Sequence, residues 1–399
     1  MRLLRVTMEG TELFKNNRYD VDLFACDRVP KTEERLPVAD VTPVGNGTSI
    51  YSQNVVGISG VNASGKTTAL NLLHFALDVL AGEVTTRGFR GRNLTMGKVG
   101  MHLSLSCVFW HEDSFYLLES KLERDQRMLF SGPSSLFGFH FADETIWRLA
   151  KPRVNRSMLL DLNEFKRAAV IVRSRHGDFA LTNSELRLLG NDRSIVSFVT
   201  GRERSRISSP NRELPARTLA TPVVQAFDSS VELLEWDSQN EVYTLKFKGE
   251  RERIVDRNVA AMLLSRGTVY GAEMVNCAIE VLSCGGYLLV DEMEEAINRS
   301  LVATIIDLFA SPVTNPSGAQ LVFTTHYPEL LDVLHRKDNV YLLVRGEDQK
   351  TEVVKYSDRV RRIENKKSEV VLSDFIGGTM PRYPDVRAMR EYVRRCVNG

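Results

Sequence analysis

The chain has 399 residues, of which 43% are hydrophobic and 26% charged, and its formal net charge is +1. This composition is typical of a soluble globular protein and excludes a basic nucleic-acid footprint over the whole chain, although a local patch stays open. No run approaches the ~18 apolar residues of a transmembrane helix. The five cysteines form no C-x-x-C pair, so we expect free thiols in a cytosolic protein and no zinc site.

Hydrophobic patterning predicts the elements of the first part of the chain. We expect two strands within residues 1–26, a loop over 27–50 and a buried strand at 55–59. A glycine-rich turn and an amphipathic helix follow this strand. Strands at 102–110 and 115–122 are expected to pair through a short turn.

Residues 123–239 carry the weakest pattern: a polar, arginine-rich stretch at 200–215 stands out, and no heptad repeat predicts a long coiled-coil arm. From residue 240 onwards strands and helices alternate, which is typical of a parallel sheet covered by helices. We expect strands at 243–247, 287–290, 320–323 and 340–344, and helices at 272–282, 296–309, 328–334 and 386–397.

Residues 60–67 read G-V-N-A-S-G-K-T and fit the phosphate-binding motif G-x-x-x-x-G-K-[ST] in full. The two glycines let the backbone turn its N–H groups towards phosphate oxygens, and the following helix adds the positive end of its dipole. Lys66 is expected to reach the β- and γ-phosphates, and the Thr67 hydroxyl to bind Mg²⁺. The predicted ATP-binding residues of this segment are Gly60, Asn62, Ala63, Ser64, Gly65, Lys66, Thr67 and Thr68.

Two carboxylates follow the apolar strand at 287–290. Because nucleotides bind at the carboxyl ends of strands in open α/β sheets, this is where a P-loop protein needs acidic groups. Asp291 is expected to hold Mg²⁺, directly or through water, and Glu292 to orient or deprotonate the attacking water.

Residues 264–268 read L-S-R-G-T and lie directly ahead of a predicted helix, with Ser265 26 residues before Asp291. They resemble the L-S-G-G-Q signature of ABC-type ATPases, and more closely the Ser-x-Gly-Thr form of the overcoming-lysogenization-defect (OLD-like) ATPases. The resemblance implies that Ser265, Gly267 and Thr268 contact the γ-phosphate held by a second protomer. The alternative is a helix cap formed by Ser265 or Thr268.

His326 follows the predicted strand at 320–323 and lies 35 residues beyond Asp291. ABC-type ATPases carry at this place a switch histidine that hydrogen-bonds the γ-phosphate, and the resemblance gives His326 this role; a structural histidine is the alternative. Residues 291–298 resemble the family's D-E-P-T-S-A-L-D sequence with Asn298 in place of the last aspartate. Asn298 is therefore expected to form hydrogen bonds across a dimer.

Other features give weaker predictions. Gln126 is a poor candidate for the Q-loop glutamine of ABC-type ATPases. The stretch 377–384 and the basic helix after it are expected either to dock a partner or to pack on the core. A basic set is expected either to contact a phosphate backbone or to form a solvated face; it comprises Arg202, Arg204, Arg206, Arg212, Lys246 and Lys248.

The order of these motifs resembles the SMC/RecF/OLD-like branch of ABC-type ATPases. The resemblance implies an α/β fold of the P-loop NTPase class, with the mixed sheet and flanking helices of an ABC-ATPase head. It covers an N-lobe with the phosphate-binding loop at 1–122 and a C-lobe at 240–356. Residues 123–239 would form an inserted arm or lid, and residues 357–399 a tail.

Within this branch, the chain is most similar to the stand-alone ATPases of bacterial anti-phage systems of the Septu, AbiL and PARIS types. The resemblance implies ATP and Mg²⁺ as ligands, head-to-head pairing of two copies around ATP, hydrolysis of ATP, and a separate nuclease or toxin as effector. Three alternatives remain: a RecF-like DNA repair ATPase, an ATP-binding scaffold with little turnover, and a transporter nucleotide-binding domain. DNA is a further candidate partner, and no membrane partner is expected.

Overall fold

The computed structural model describes residues 1–29, 40–45, 47–82, 99–124, 139–150, 154–201, 206–361 and 365–398. Its strands are β1 (Arg2–Thr11), β2 (Arg18–Asp22), β3 (Val41–Pro43), β4 (Tyr51–Gln53), β5 (Val55–Gly60), β6 (Val99–His111), β7 (Ser114–Arg124), β8 (Phe139–Ala150), β9 (Val170–Ser174), β10 (Ile207–Ser208), β11 (Val231–Asp237), β12 (Val242–Phe247), β13 (Arg253–Asp256), β14 (Tyr287–Val290), β15 (Gln320–Thr325), β16 (Val340–Arg345) and β17 (Thr351–Lys355).

The α-helices are α1 (Lys66–Leu80), α2 (Arg156–Leu160), α3 (Leu162–Ala168), α4 (Asn183–Leu189), α5 (Ser197–Thr200), α6 (Thr221–Phe227), α7 (Arg257–Leu263), α8 (Arg266–Cys284), α9 (Arg299–Ala310), α10 (Tyr356–Arg359), α11 (Lys367–Leu372) and α12 (Tyr383–Asn398). Short 3₁₀ helices cover Lys15–Asn17 and Pro328–Val333. The fold is thus α/β, with mixed sheets and flanking helices.

The central sheet has the strand order β10-β14-β15-β5-β16-β17. The strands from β10 to β16 run parallel, and β17 closes the edge antiparallel to β16. Every residue of β5, β14 and β15 is buried, as apolar runs between two layers require. Because β5, β14 and β15 are parallel, the loops that follow them meet at one edge of the sheet.

An antiparallel sheet with the order β2-β1-β6-β7-β8-β9 covers one side of α1. Side chains of β1 and β6, among them Val6 and Leu105, share one hydrophobic cluster with Leu73 of α1 and Ile58 of β5. The helix after the phosphate-binding motif is therefore fixed between two sheets. On the other side of the central sheet, α8 and α9 bury their apolar faces against β14 and β15.

A third sheet, β11-β12-β13, leads into α7 and α8. Its buried side chains form a separate cluster with α6 and with the start of α8, where Tyr243 and Val269 take part. This small unit therefore supports the N-terminal end of α8, the helix that follows Ser265.

Several predicted elements are confirmed. The strand at 55–59 and the four strands expected after residue 240 are present, and β6 and β7 pair as expected, with Phe109 opposite Tyr116. The helix expected at 272–282 begins earlier, at Arg266, because Ser265 caps it. The segment 328–333 is a 3₁₀ helix, and the last helix begins at Tyr383.

Two expectations differ from the structure. Within the stretch 27–50, expected as a loop, β3 forms a strand that pairs antiparallel with β4 just after this stretch, with Thr42 opposite Ser52. The predicted boundary at residue 122 falls inside β7, which pairs with β8, and β8 pairs with β9. β8 and β9 thus extend the sheet of β1, and β8 supplies the hydrogen-bond partners of the edge of β7 that faces away from β6.

Candidate functional site

The loop between β5 and α1 turns sharply at its glycines. Gly65 has φ +95°, and a Cβ there would lie 2.5 Å from Leu13 Cδ2. A Cβ on Gly60 would lie 2.7 Å from the carbonyl oxygen of Leu343, so both positions require glycine. Ser64 Oγ is buried and finds no hydrogen-bond partner among the described residues. A buried hydroxyl without a partner, in a loop that leads into a helix N-terminus, can donate a hydrogen bond to a bound polar ligand.

Lys66 lies in the centre of the site. Its ammonium group donates hydrogen bonds to the carbonyl oxygens of Gly60 and Val61 at 2.7 and 3.1 Å, and lies 3.2 Å from His326 Nδ1. Burial lowers the pKa of Lys66, and the charges of Glu292 and Asp291 oppose this shift. The lysine is thus a buried cation held at the turn of the loop.

A chain of short hydrogen bonds joins α1, β14 and β15. Thr67 Oγ1 donates to Asp291 Oδ2 at 2.7 Å, and Thr324 Oγ1 donates to Asp291 Oδ1 at 2.6 Å. The same Thr324 hydroxyl accepts a hydrogen bond from the backbone N–H of Glu292 at 2.8 Å. Thr324 is completely buried and therefore fixes both acidic residues.

The carboxylate of Glu292 faces two cationic or donor groups. His326 Nε2 is 3.1 Å from its Oε1, and Arg212 Nη2 is 3.8 Å from its Oε2. Glu292 has φ +51°, a left-handed conformation that is uncommon outside glycine and often found at functional sites. The backbone N–H of His326 donates to Glu294 Oε1 at 2.6 Å, and Arg212 also pairs with Glu295 at 2.5 Å.

These groups open onto a cavity of about 1090 Å³. On its wall, Arg345 at the end of β16 donates to the carbonyl oxygen of Ala63 at 2.7 Å. The lining residues are Leu13, Asn62, Ala63, Gly65, Lys66, Thr67, Thr68, Glu292, Glu294, Glu295, Ala296, His326, Tyr327 and Arg345. The cavity has the size of a small-molecule site.

The predicted Mg²⁺ ligands, Thr67 and Asp291, are in direct contact and offer the hydroxyl and carboxylate oxygens that Mg²⁺ prefers. Over the described ranges, no group of three or more His, Cys, Asp or Glu side chains is arranged to hold a metal ion. The donor set nevertheless fits Mg²⁺ bound with a nucleotide, because substrate phosphates and water usually supply most of its ligands.

The predicted signature residues lie elsewhere. Ser265 is exposed and caps α8: its Oγ accepts from the backbone N–H of Thr268 at 3.0 Å. A Cβ on Gly267 would lie 2.3 Å from the carbonyl oxygen of Ala296. In the described chain, none of Ser265, Gly267 and Thr268 lines the cavity. The helix-cap alternative is therefore present in the structure, and the Ser265 hydroxyl also lies 2.8 Å from the Thr268 hydroxyl.

Asn298 is exposed and caps α9 by accepting a hydrogen bond from the backbone N–H of Ser300 at 2.9 Å. It is not among the described residues that line the cavity. Within one chain, Asn298 thus ends the acidic loop and starts the next helix.

Four site residues were missed by sequence reasoning: Arg212, Glu294, Thr324 and Arg345. Arg345 could have been found, because it ends the parallel strand next to β5 and so reaches the same edge of the sheet. Thr324 directly follows the predicted strand at 320–323, but its contact with Asp291 depends on the neighbouring strand β14 and carries no signal in the local sequence. The sequence around Arg212 does not indicate a site residue, because its partners Glu292 and Glu295 lie about 80 residues further along the chain.

Three described members of the predicted basic set form ion pairs with carboxylates. Arg206 pairs with Glu280 at 2.9 Å and Lys246 with Glu232 at 2.7 Å, while Arg212 joins the acidic loop. Arg202, Arg204 and Gln126 lie outside the described residues. The described members are thus largely neutralised by carboxylates. All five cysteines have free thiols.

A comparison with protein-family models found no match, and a search of curated proteins found no significant match. Among the described residues, no helix combines the length and apolar content that a membrane span requires.

Proposed function

We propose that the chain is an ABC-type ATPase head, which binds ATP with Mg²⁺ and hydrolyses it. The observation that carries this proposal is the continuous contact chain Thr67–Asp291–Thr324–Glu292–His326–Lys66. It joins the phosphate-binding loop, both carboxylates and the histidine at one edge of the sheet. A chance match of three separate motifs does not account for their contact.

Each residue has a role that follows from its position. Lys66 and the N–H groups of the loop would bind the phosphates, and Thr67 and Asp291 would hold Mg²⁺. Bound Mg²⁺ would neutralise phosphate charge. Glu292, fixed by Thr324 and His326, would orient the water for attack on the γ-phosphate and accept its proton. His326, in contact with both Lys66 and Glu292, would transmit the presence of that phosphate to the carboxylate.

The exposed turn at Ser265 supports pairing of two copies. It stands at the N-terminus of a 19-residue helix, where N–H groups and the helix dipole favour anions. Because none of Ser265, Gly267 and Thr268 is among the described residues that line the cavity of their own chain, we propose that this turn lies over the γ-phosphate of a second copy. Two ATP molecules would then be enclosed between the two heads.

The resemblance to anti-phage ATPases extends the proposal to a role. The chain would act as the sensor and gate of a defence complex whose nuclease or toxin is a separate protein. Affinity purification of the chain expressed from its own operon tests this role. A stoichiometric nuclease or toxin would support it, and co-purification of DNA-repair proteins alone would favour the RecF-like alternative.

The ATPase itself is tested by phosphate release and by calorimetric titration with ATP–Mg²⁺. We expect steady turnover by the wild type, and loss of both binding and turnover in Lys66→Ala. Lys246→Ala serves as the control, because Lys246 is a surface lysine paired with Glu232. Equal ATP binding by the wild type and Lys66→Ala would refute the proposal.

A further inference from the structure

The last described helix, α12 (Tyr383–Asn398), exposes an apolar stripe. Met389 is 59% exposed, Val393 52% and Val397 78%. Charged side chains lie beside this stripe, including Arg387 and Glu391, which pair with each other at 2.8 Å. A stripe of this kind on a helix of 16 residues needs a partner surface to be shielded from water.

The sequence spacing of the apolar residues in α12 is that of a coiled-coil seam. Val386, Met389, Val393 and Cys396 follow each other at intervals of three, four and three residues. These intervals place them at the a, d, a and d positions of two heptads, the seam by which α-helices pair in coiled coils. The two a positions hold valine, and β-branched residues at a favour two-stranded pairing.

The flanking positions specify the orientation. With Val386 at a, Asp385 and Tyr392 occupy g positions, and Arg390 and Val397 occupy e positions. In a parallel pair, g of one helix faces the following e of its partner. Asp385 would then face Arg390 of the second copy, and Tyr392 would face Val397, so that a charge pair and an apolar pair form on each side.

An antiparallel pair lacks this complementarity. There, g positions face g positions and e positions face e positions, which sets the charged Asp385 and Arg390 against the apolar Tyr392 and Val397.

We infer that α12 is a dimerisation helix that pairs in parallel with α12 of a second copy of this chain. Its N-terminal end lies beside the candidate site: Asp385 in its first turn and Arg382, which precedes the helix, line a cavity of about 900 Å³ that is also lined by Asn62, His326 and Arg345. Two heptads pair only weakly on their own. Their pairing would hold two copies of the chain together and so raise the effective concentration of one copy around the other. The inference does not depend on ATP hydrolysis.

Cys396 reports the pairing directly, because d positions face each other in a parallel coiled coil and its thiol is free and exposed. The full-length chain without nucleotide is treated with copper–phenanthroline, which transfers the two electrons of disulfide formation to dioxygen. We expect a disulfide-linked species of about twice the 45.0 kDa of one chain on a non-reducing gel. Cys396→Ser should abolish it, and Cys284→Ser, which removes the other exposed thiol, should not.

The matched variant is Met389→Glu/Val393→Glu with Cys396 retained. It should reduce crosslinking at least tenfold and shift the sedimenting species towards monomer, with an unchanged circular dichroism spectrum and Tm, since both side chains lie outside the core. Equal crosslinking in this variant would overturn the inference. A wild-type chain that sediments as a monomer would also overturn it, even if its mass rises when duplex DNA is added. A dimer in which Cys396 does not crosslink would overturn it as well.

Discussion

His326 Nε2 lies 3.1 Å from Glu292 Oε1, although the two residues are separated by 34 positions in the chain. Both follow strands of the same parallel sheet, so the sheet brings the imidazole to the carboxylate. The histidine also lies 3.2 Å from Lys66 Nζ and so connects the carboxylate with the loop between β5 and α1.

The first prediction concerns this histidine. Replacing His326 with Ala removes a polar group that fixes Glu292, and we expect kcat to fall about 100-fold while ATP affinity changes little. Phosphate release over a range of ATP concentrations measures both quantities. His335→Ala is the control, since His335 is mostly exposed and lies near Asp40. Unchanged turnover in His326→Ala would leave His326 with a structural role only.

Thr324 is predicted to position the two carboxylates. In Thr324→Val, Asp291 loses a donor and the backbone N–H of Glu292 loses its acceptor, so we expect about 1–3 kcal/mol of destabilisation and a marked loss of turnover. Thr325→Val is a matched control: its hydroxyl is equally buried but accepts from the N–H of Tyr327. If both variants lose stability and turnover to the same extent, the positioning role is wrong.

Arg212 is predicted to act through Glu292. The pair is surface-exposed on the arginine side, and exposed ion pairs contribute about 0.2–1 kcal/mol, so Arg212→Ala should lower kcat by a factor of about 2 to 5. KM should stay unchanged, and Arg212→Lys should retain more of the wild-type kcat than Arg212→Ala does. Added salt should reduce the difference in kcat between the wild type and Arg212→Ala, because salt screens the ion pair. Arg206→Ala removes a different surface pair and should have no effect. If the loss of kcat in Arg212→Ala did not change with salt concentration, an electrostatic role of Arg212 would be contradicted.

Ser265 distinguishes a helix cap from a contact across two copies. As a cap alone, Ser265→Ala should cost about 1 kcal/mol of stability and leave turnover unchanged. If Ser265 also contacts the γ-phosphate of a second copy, turnover should fall much further than this loss of stability explains. Asp256→Ala is the matched control, because Asp256 caps α7 by accepting from the N–H groups of Asn258 and Val259. Equal effects of the two variants would favour a cap alone.

The pair formed by Arg336 and Asp338 predicts a pH dependence of stability. Burial alone would raise the pKa of Asp338, but the hydrogen bonds and charge of Arg336 outweigh it and hold the pKa below its ordinary value. A lowered folded-state pKa stabilises the protein above the unfolded-state pKa of about 3.9, and this stabilisation is lost as pH falls through the folded-state value.

Asp338→Ala should therefore cost about 3 kcal/mol at pH 7, because the buried arginine loses its carboxylate. The difference from the wild type should shrink as pH falls below about 3.9. Urea unfolding between pH 3 and 7 measures both effects, with Arg253→Ala as a surface control. A difference that does not change with pH would contradict the assignment of charge to Asp338.

Much of the candidate site could be predicted from sequence because its residues lie in short contiguous motifs. The loop before Lys66 is recognisable from its glycines, and Asp291 and Glu292 follow a fully apolar strand. The rule that parallel strands end at one edge then places His326 beside them. The resemblance added the expected roles, and for Ser265 and Asn298 it implied contacts that a single chain cannot test.

The contacts that could not be predicted are those made over long sequence separations without a local pattern. Arg212 reaches the acidic loop from a polar stretch, and its own neighbours in sequence give no sign of this. β8 and β9 join the sheet of β1 through antiparallel pairing, for which the sequence of 139–174 carries only a weak alternation. Antiparallel pairing partners depend on the whole sheet, so residues near the strand alone do not determine them.

The most direct test of the central claim is phosphate release by Glu292→Gln, measured together with ATP binding. Glutamine keeps the size and the hydrogen-bonding reach of the side chain but cannot accept the proton of water. We predict that ATP–Mg²⁺ still binds with near wild-type affinity while turnover falls at least 100-fold. Wild-type turnover in Glu292→Gln would contradict the account of this site as the place where ATP is hydrolysed.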